Sequence, residues 1–256
     1  MKPQSTHFKQ VASEYDELAA NGLYATLAPN NKGGRKSEYV NAVFDAAILP
    51  RLPETGVCGC ALDFGCGTGS FTRVLAQHCS QVIGVDVSEH MIATATQVCE
   101  GYAHVRLLQI DGESLPFENA SFDHVIARES LCYVPDDMLG GVLEEIYRVL
   151  KPGGRFLWLE QVSTNPFWQV HPGAPNLVKR DPRVLRDELA QRGFKLLEQS
   201  MVRAPRFPWI YPLWFGLLPR RLIPALARWE VAWHRRFDQH PRRWWDALFI
   251  AERPRP

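Results

Sequence analysis

The chain has 256 residues, a net charge of +1 at neutral pH and a hydrophobic content of 46%. This length predicts one large domain, and the hydrophobic content excludes a chain that is disordered throughout. The near-neutral charge gives no sign of a nucleic-acid-binding protein. The charge is nevertheless uneven, because residues 203–256 carry 11 arginines against 4 acidic residues.

Targeting signals and metal-ligand patterns are both missing from the sequence. The first residues contain no apolar run like that of a secretion signal, and no stretch reaches the ~18 apolar residues of a membrane span. The six cysteines are scattered, and the Cys58-Gly-Cys60 pair has no second Cys or His pair downstream. We therefore expect a cytoplasmic protein with single buried thiols and no metal site.

The N-terminal part predicts two helices separated by a loop. The first helix is indicated by apolar residues at helical spacing, namely Phe8, Val11, Tyr15 and Leu18. Residues 30–36 form a loop by composition, and Ser37 is the expected N-cap of the second helix. Pro50 and Pro53 end that helix.

A glycine-rich turn follows the first predicted strand. The apolar run from Val57 to Phe64 stops at three glycines, Gly65, Gly67 and Gly69, and an amphipathic pattern begins at Phe71. Glycine lets a ligand approach the backbone, and the N–H groups at a helix start favour polar or anionic ligand groups. The pattern therefore predicts a nucleotide-binding loop. The alternatives are a turn without a ligand and a nicotinamide site, although dehydrogenases favour Gly-x-Gly-x-x-Gly.

Asp86 supports a nucleotide-like ligand. It lies 17 residues beyond Gly69, at the end of the apolar run 82–87. A carboxylate at this place can accept hydrogen bonds from both hydroxyls of a ribose, as in other Rossmann-like sites.

Strands and helices alternate along most of the chain. Strands are predicted at 60–64, 81–87, 105–110, 121–127, 155–162, 194–202 and 245–252. Helices are predicted between them at 70–79, 88–100, 137–150 and 182–191. This rhythm indicates an α/β, Rossmann-like fold with seven strands, mainly parallel, and helices on both faces. The last strand is expected to pair antiparallel at the edge of the sheet.

Four ordered features resemble the class I S-adenosylmethionine-dependent methyltransferases. They are the Asp-Phe-Gly-Cys-Gly-Thr-Gly loop at 63–69, Asp86, the Gly-Glu-Ser-Leu-Pro-Phe segment at 112–117, and the run 148–156 with its Pro-Gly-Gly turn. The resemblance covers about 60–202 and 245–252, and it points to the branch that serves quinone and natural-product pathways. It implies S-adenosylmethionine as the cofactor.

The resemblance also implies which residues contact this cofactor. It assigns Asp86 to the ribose and Asp111 to the adenine amino group. It also makes the N-terminal segment a lid over cofactor and substrate, with Tyr15 and Tyr24 as the candidate lid residues, and the alternative for each is simple packing on the sheet. The full set of cofactor candidates is Tyr15, Asp63, Gly65, Cys66, Gly67, Thr68, Gly69, Asp86, Val87, Met91, Asp111, Gly112, Glu113 and Arg128.

Two residues are candidate general bases. His171 lies in the long loop 163–180 after the fifth strand, and Glu129 follows the fourth strand, so both belong to the ligand edge of an open α/β sheet. The alternatives are a solvated loop histidine and an ion pair of Glu129 with Arg128 or another arginine. Candidate acceptor contacts are Tyr24, Tyr133, Trp168, His171, Trp209 and Trp214.

Some acceptors are disfavoured by a missing motif. The Asn/Asp-Pro-Pro-Tyr motif of enzymes that methylate nucleic-acid bases or glutamine does not follow the fourth strand, where the chain reads Arg-Glu-Ser-Leu at 128–131. We therefore expect no nucleic-acid partner.

Residues 203–243 form an insertion that the family fold does not need. Six of the eight tryptophans fall between 209 and 245. Three interpretations remain open: a lid on the acceptor pocket, an interfacial surface at 205–237 that lies on an anionic membrane, and a homodimer contact or plain packing.

The sequence therefore predicts a single methyltransferase domain acting on an O or N atom of a small molecule. Residues 1–55 form its lid, 56–202 and 244–253 its core, and 203–243 its insertion. One alternative is an enzyme for a lipid-linked or saccharide acceptor at a membrane surface. Another is an inactive, cofactor-binding regulatory subunit.

Overall fold

The computed structural model describes residues 6–19, 34–53, 58–171, 174–204, 210–237 and 244–256. Within these ranges, the side chains of 17–19, 170–171, 174–175, 210 and 214 are not described.

Helices and strands alternate as the sequence predicts. The α-helices are α1 (Thr6–Ala19), α2 (Arg35–Ile48), α3 (Ser70–Leu75), α4 (Glu89–Val98), α5 (Asp136–Val149), α6 (Pro182–Gln191), α7 (Ile210–Trp214) and α8 (Ile223–Phe237). The strands are β1 (Cys60–Phe64), β2 (Gln81–Asp86), β3 (Val105–Gln109), β4 (Phe122–Arg128), β5 (Leu150–Val162), β6 (Val170–His171), β7 (Ala174–Val178), β8 (Lys195–Arg203) and β9 (Trp245–Glu252).

Seven strands form one sheet in the order β3-β2-β1-β4-β5-β9-β8. The pairings from β3 to β5 are parallel, and β9 is antiparallel to both β5 and β8. The predicted α/β, Rossmann-like sheet is thereby confirmed. One detail was wrong: β9 lies one place in from the edge, because β8 pairs with its outer side.

The central strands are buried on both faces, which is typical of parallel sheets covered by helices. Successive residues of β1 point to opposite faces, so Leu62 joins the core beneath α5 and α6, whereas Ala61 joins the core beneath α2, α3 and α8. The first of these helices, α5, buries one continuous face of Leu139, Val142, Leu143, Ile146 and Val149.

Two local predictions about helix starts had different outcomes. Ser88, where the sequence predicts the helix 88–100 to begin, caps α4, since its hydroxyl accepts a hydrogen bond from the Met91 N–H at 3.0 Å. Ser37 does not cap α2. The helix begins at Arg35, with Gly34 as N-cap at a φ of 71°, and Ser37 is buried in the first turn. Glycine reaches this left-handed φ without strain, so the helix starts earlier than the serine suggested.

The prediction that all cysteines are free thiols was wrong for two of them. Cys58 and Cys79 form a disulfide with Cα atoms 4.5 Å apart. Cys58 precedes β1 and Cys79 precedes β2, and the two strands are paired from Cys60 and Gln81 onward. Their starts are therefore neighbours, whatever the separation in sequence. Cys60, Cys66, Cys99 and Cys132 are free.

The insertion contributes helix α8 to the outer layer of the core. Ile223, Ala227 and Val231 are buried in the cluster that also contains α2 residues. The Tyr39 hydroxyl of α2 donates a hydrogen bond to the buried carboxylate of Glu230. In the described part of the chain, no helix is both long and apolar enough to cross a membrane.

Candidate active site

The glycine loop after β1 needs glycine at specific positions. Gly65, Gly67 and Gly69 have φ angles of 72°, 52° and 75°, in the left-handed region that other residues rarely adopt. A Cβ atom at Gly65 would lie 2.3 Å from Ser130 Cβ, and one at Gly69 would lie 2.9 Å from the Ala95 Cα. The loop therefore packs too closely against its neighbours for any side chain at these two positions.

Asp86 connects this loop to the end of β2. Its Oδ2 accepts a hydrogen bond from the Gly67 N–H at 2.8 Å, and its Oδ1 accepts one from the Ser88 N–H at 3.0 Å. Burial raises the pKa of this carboxyl, although the N–H groups oppose the shift. Each carboxylate oxygen has a second lone pair, so Asp86 retains acceptor capacity for the hydroxyls of a ligand.

A cleft opens above the loop, at the carboxyl ends of β1, β2 and β4. Its volume is about 1070 Å³ when the open solvent at its mouth is included. The predicted residues on its wall are Tyr15, Asp63, Gly65, Cys66, Gly67, Thr68, Asp86, Val87, Gly112, Arg128, Glu129 and Tyr133. The sequence did not single out the other wall residues, which are Phe8, Val11, Asn41, Phe44, Phe64, Ser70, Phe71, Ile110, Ser130 and Val134.

The remaining candidates lie away from this wall or outside the described residues. The Asp111 carboxylate faces its own loop, where it accepts hydrogen bonds from the N–H groups of Glu113 and Ser114 and from the Ser114 hydroxyl. The neighbours Ile110 and Gly112 contact the cleft instead. Like Asp111, four other predicted residues do not line the cleft, namely Gly69, Met91, Glu113 and Trp168. Tyr24 and Trp209 lie outside the described residues, as do the side chains of His171 and Trp214.

Asp63 is a buried carboxyl beneath the loop. Its Oδ2 accepts a hydrogen bond from the Thr72 hydroxyl at 2.7 Å, which joins β1 to α3. Burial raises the pKa of Asp63 to about 6, against the opposing effect of this hydrogen bond. The residue therefore fixes the start of α3 beside the cleft.

Arg128 holds α2 against the end of β4. Its guanidinium donates hydrogen bonds to Asp45 Oδ1 and Asn41 Oδ1, each at 3.0 Å, and lies 4.4 Å from the centre of the Phe71 ring. Because its ion pair is with Asp45, Arg128 does not neutralise Glu129.

Glu129 has an unusual backbone and an unsatisfied side chain. Its φ of 52° is left-handed, which among the described residues other than glycine is shared only with Ala120. Its N–H donates to the Leu159 carbonyl at 2.8 Å, and its buried Oε1 has no hydrogen-bond partner among the described residues. Burial and the charge of Asp246 raise the pKa of Glu129 well above its usual range, and Arg203 opposes them. A left-handed backbone and a carboxyl with a raised pKa, at a residue that lines a cleft, are typical of a functional residue.

A cluster of buried charges that was not predicted from the sequence lies behind Glu129. Arg203 Nε donates to Asp246 Oδ2 at 2.5 Å, and Trp158 Nε1 donates to Glu160 Oε2 at 3.1 Å. Glu160, Asp246 and Lys179 are almost fully buried. The available signal was the presence of a charged residue inside an apolar strand, as with Glu160 in the Leu-Trp-Leu-Glu sequence of β5.

We expect the stability of the protein to fall as pH rises through neutrality, and Glu160 to cause part of this loss. Burial raises the pKa of Glu160 from 4.5 to about 7. Its contribution is therefore complete below pH 4.5 and is lost as pH rises through about 7. The difference between these pKa values corresponds to about 3 kcal/mol.

Urea unfolding of the wild type and of Glu160→Gln between pH 5 and 8 measures this contribution, because glutamine has no proton to lose. We expect a shallower pH dependence in Glu160→Gln. The exposed Glu100→Gln variant should behave like the wild type. Equal slopes in Glu160→Gln and the wild type would contradict the assignment.

Helix α1 covers one side of the cleft with Phe8, Val11 and Tyr15. The His7 ring donates a hydrogen bond to the Tyr133 carbonyl at 2.7 Å, and the rings of Tyr15 and Tyr133 meet edge to face at 5.3 Å. At the far end of the helix, the Ser88 hydroxyl donates to the Asp16 carboxylate. These contacts hold α1 against the cleft, and its role as a lid stays a prediction.

Comparison with known proteins identifies the domain that carries this cleft. The family model described as a methyltransferase domain matches residues 62–158. A sterol 24-C-methyltransferase of Saccharomyces cerevisiae is 33% identical over 171 residues, which are 59% of this chain and 44% of that protein. A demethylmenaquinone methyltransferase of Staphylococcus saprophyticus is 39% identical over 116 residues, which are 43% of this chain and 49% of that protein. The chain thus spans about half the length of the curated relatives it matches.

A solved structure has the same fold over its whole length. The geranyl diphosphate C-methyltransferase of Streptomyces coelicolor superposes with a TM-score of 0.70 at 17% identity, covering 98% of this chain and all of the other. At this identity the likeness shows the fold alone.

The cofactor of the methyltransferase family is S-adenosylmethionine, and the residues of this cleft fit it. Asp86 offers free lone pairs for ribose hydroxyls, and Gly65 and Gly67 of the loop line the same cleft. Ile110, Val87 and Val11 supply apolar surface of the kind that an adenine ring requires. The glycine loop, the seven-stranded sheet and the match of residues 62–158 to the methyltransferase-domain model together make this chain similar to the class I S-adenosylmethionine-dependent methyltransferases.

Proposed function

We propose that the chain transfers a methyl group from S-adenosylmethionine to a small-molecule acceptor that lies beside Glu129. One observation supports the proposal: the residues that line a single cleft include the glycine loop, Asp86 and Glu129, whose backbone is left-handed. A cofactor site and a candidate base therefore belong to the same cleft.

The residues of the chain bind and align the reactants. When bound, S-adenosylmethionine supplies a methyl group on a positively charged sulfonium. Asp86 and the loop fix one side of the cleft, and Phe8, Val11 and Tyr15 of α1 exclude water from another. Such alignment supplies much of the rate enhancement in a displacement reaction.

Glu129 is proposed to accept a proton from the acceptor. Its raised pKa makes the ionised carboxylate a stronger base than an ordinary glutamate, and its Oε1 has a vacant lone pair. With a hydroxyl acceptor, the carboxylate of Glu129 would take the O–H proton as the oxygen binds the methyl carbon and the methyl–sulfur bond breaks, with its electron pair staying on sulfur. His171 remains the second candidate for this role.

The acceptor is proposed to have an apolar body. Phe44, Phe64, Phe71 and Val134 contribute apolar surface to the cleft, and two of the relatives are named for a sterol and a menaquinone precursor. The sequence predicted methylation of oxygen or nitrogen. Carbon is added as an alternative because the sterol relative is named a C-methyltransferase.

Calorimetric titration with S-adenosylhomocysteine, followed by a methyl-transfer assay, tests the proposal. We expect micromolar binding, and transfer of a labelled methyl group to a quinone, sterol or aromatic hydroxyl compound, with mass spectrometry locating the methylated atom. Failure to bind would contradict the cofactor assignment. Tight binding without transfer to any acceptor would favour the inactive regulatory subunit.

A further inference from the structure

The exposed side of α8 carries an aromatic stripe, which we define as Trp229, Trp233 and Phe237. These residues are spaced four apart, so they lie along one side of the helix. Neighbouring rings are 5.3 Å and 4.4 Å apart between centres. Each side chain is more than 40% exposed, at 45%, 42% and 45%. A continuous exposed stripe of large aromatic rings is uncommon unless the surface binds something.

The aromatic stripe is held rigidly in the fold. The opposite side of α8 is buried through Ile223, Ala227 and Val231, which pack into the core. The helix cannot turn to bury the stripe without exposing these residues. The preceding turn adds Phe215 and Leu217, which are 71% and 74% exposed.

The charges around the aromatic stripe are almost all positive. Between 210 and 237 the chain has five arginines, at 220, 221, 228, 235 and 236, and one acidic residue, Glu230, which is buried. Arg220 pairs with Glu38 at 3.4 Å, and the Arg236 guanidinium lies 6.0 Å from the centre of the Phe237 ring. An apolar stripe bordered by arginines complements an anionic lipid surface, where each nearby basic side chain adds attraction.

The start of α8 also adjoins the active-site cleft. A second cavity is lined by Arg220, Arg221, Ile223 and Pro224, and it shares Asn41, Ser70 and Arg128 with the cleft. A lipid surface that contacts the start of α8 would therefore lie close to this second cavity and to the three residues that it shares with the cleft.

We propose that the surface formed by 210–237 docks on an anionic lipid bilayer. The aromatic stripe enters the headgroup region, and the arginines bind lipid phosphates. Docking uses no residue assigned to cofactor binding, so this proposal and the proposed methyltransferase activity can fail separately.

Flotation of the full chain with vesicles tests this proposal. We expect binding to vesicles of phosphatidylcholine with 30% phosphatidylglycerol, little binding to phosphatidylcholine alone, and at least a 10-fold loss of binding in 0.5 M salt. The Trp229→Ser/Trp233→Ser and Arg228→Glu/Arg235→Glu variants should each lose most of the binding. Titration with S-adenosylhomocysteine checks that both variants remain folded.

Matched control substitutions lie at the far edge of the sheet, on β3. Leu108 is 41% exposed and Arg106 is exposed beside it, so Leu108→Ser/Arg106→Glu removes a similar apolar side chain and reverses one charge. This variant should bind vesicles like the wild type. No flotation of the wild type would overturn the proposal. The proposal would also be overturned if the protein did not bind vesicles and instead formed a concentration-dependent dimer that the Trp229→Ser/Trp233→Ser variant abolished.

Discussion

Replacing Asp86 with alanine is expected to weaken S-adenosylhomocysteine binding by about 2–4 kcal/mol, roughly a 30- to 900-fold rise in Kd. Two effects combine in this loss. The variant lacks the carboxylate proposed to accept the ribose hydroxyls, and the Gly67 and Ser88 N–H groups lose their acceptor. Calorimetry at constant ionic strength measures the change, and an unchanged Kd would remove Asp86 from the cofactor site.

Asp123 offers a matched control for this experiment. Like Asp86, it accepts a hydrogen bond from a backbone N–H, that of Cys60 at 2.9 Å, and it also pairs with Lys151 at 2.8 Å. It lies near the start of β4, however, at the sheet end opposite the cleft. Asp123→Asn should therefore cost some stability and leave the Kd for S-adenosylhomocysteine within about 3-fold of wild type. A larger change would indicate that Asp86→Ala also acts through the fold.

Replacing Glu129 with glutamine is expected to lower turnover about 10²- to 10⁴-fold while cofactor affinity is retained. Glutamine keeps the size of the side chain but cannot accept the proton. In the wild type the rate should rise with pH, because the raised pKa of Glu129 keeps the carboxyl protonated until the solution becomes less acidic. This rise should be absent in Glu129→Gln.

A comparison with His171→Ala distinguishes the two candidate bases. If Glu129 is the base, His171→Ala should retain both the rate and its pH dependence. Full activity of Glu129→Gln at all pH values would exclude the glutamate. The opposite pattern, with a large loss only in His171→Ala, would transfer the role to the loop after β5.

Most of the fold was predictable because its signals are local. The strands at 60–64 and 245–252 were predicted with their observed bounds, since each is an apolar run that ends at a glycine or a charged residue. The glycine loop and Asp86 were also predictable, because close backbone approach restricts these positions to particular residue types. The order of the last strands was not predictable, because no local sequence pattern determines on which side of β9 the strand β8 pairs.

The features that were missed depend on contacts between distant segments. Glu160, Arg203 and Asp246 come from three strands, and each alone resembles an ordinary charged residue. The disulfide of Cys58 and Cys79 depends on the pairing of β1 with β2 rather than on any cysteine motif.

The ion pair of Arg203 with Asp246 has an evolutionary consequence. These residues are opposite each other in the β8–β9 register. Arg203 is the last residue of β8 and Asp246 is the second residue of β9, so the pair joins the two ends of the insertion. The insertion thus leaves the sheet and returns to it at one ion pair. Its length therefore need not affect the pairing of β8 with β9. Insertions of different length could be exchanged at this point with the strand pairing kept, provided that they cover the core residues that α8 covers. A grafted segment could therefore give the same methyl-transfer core a new partner or location.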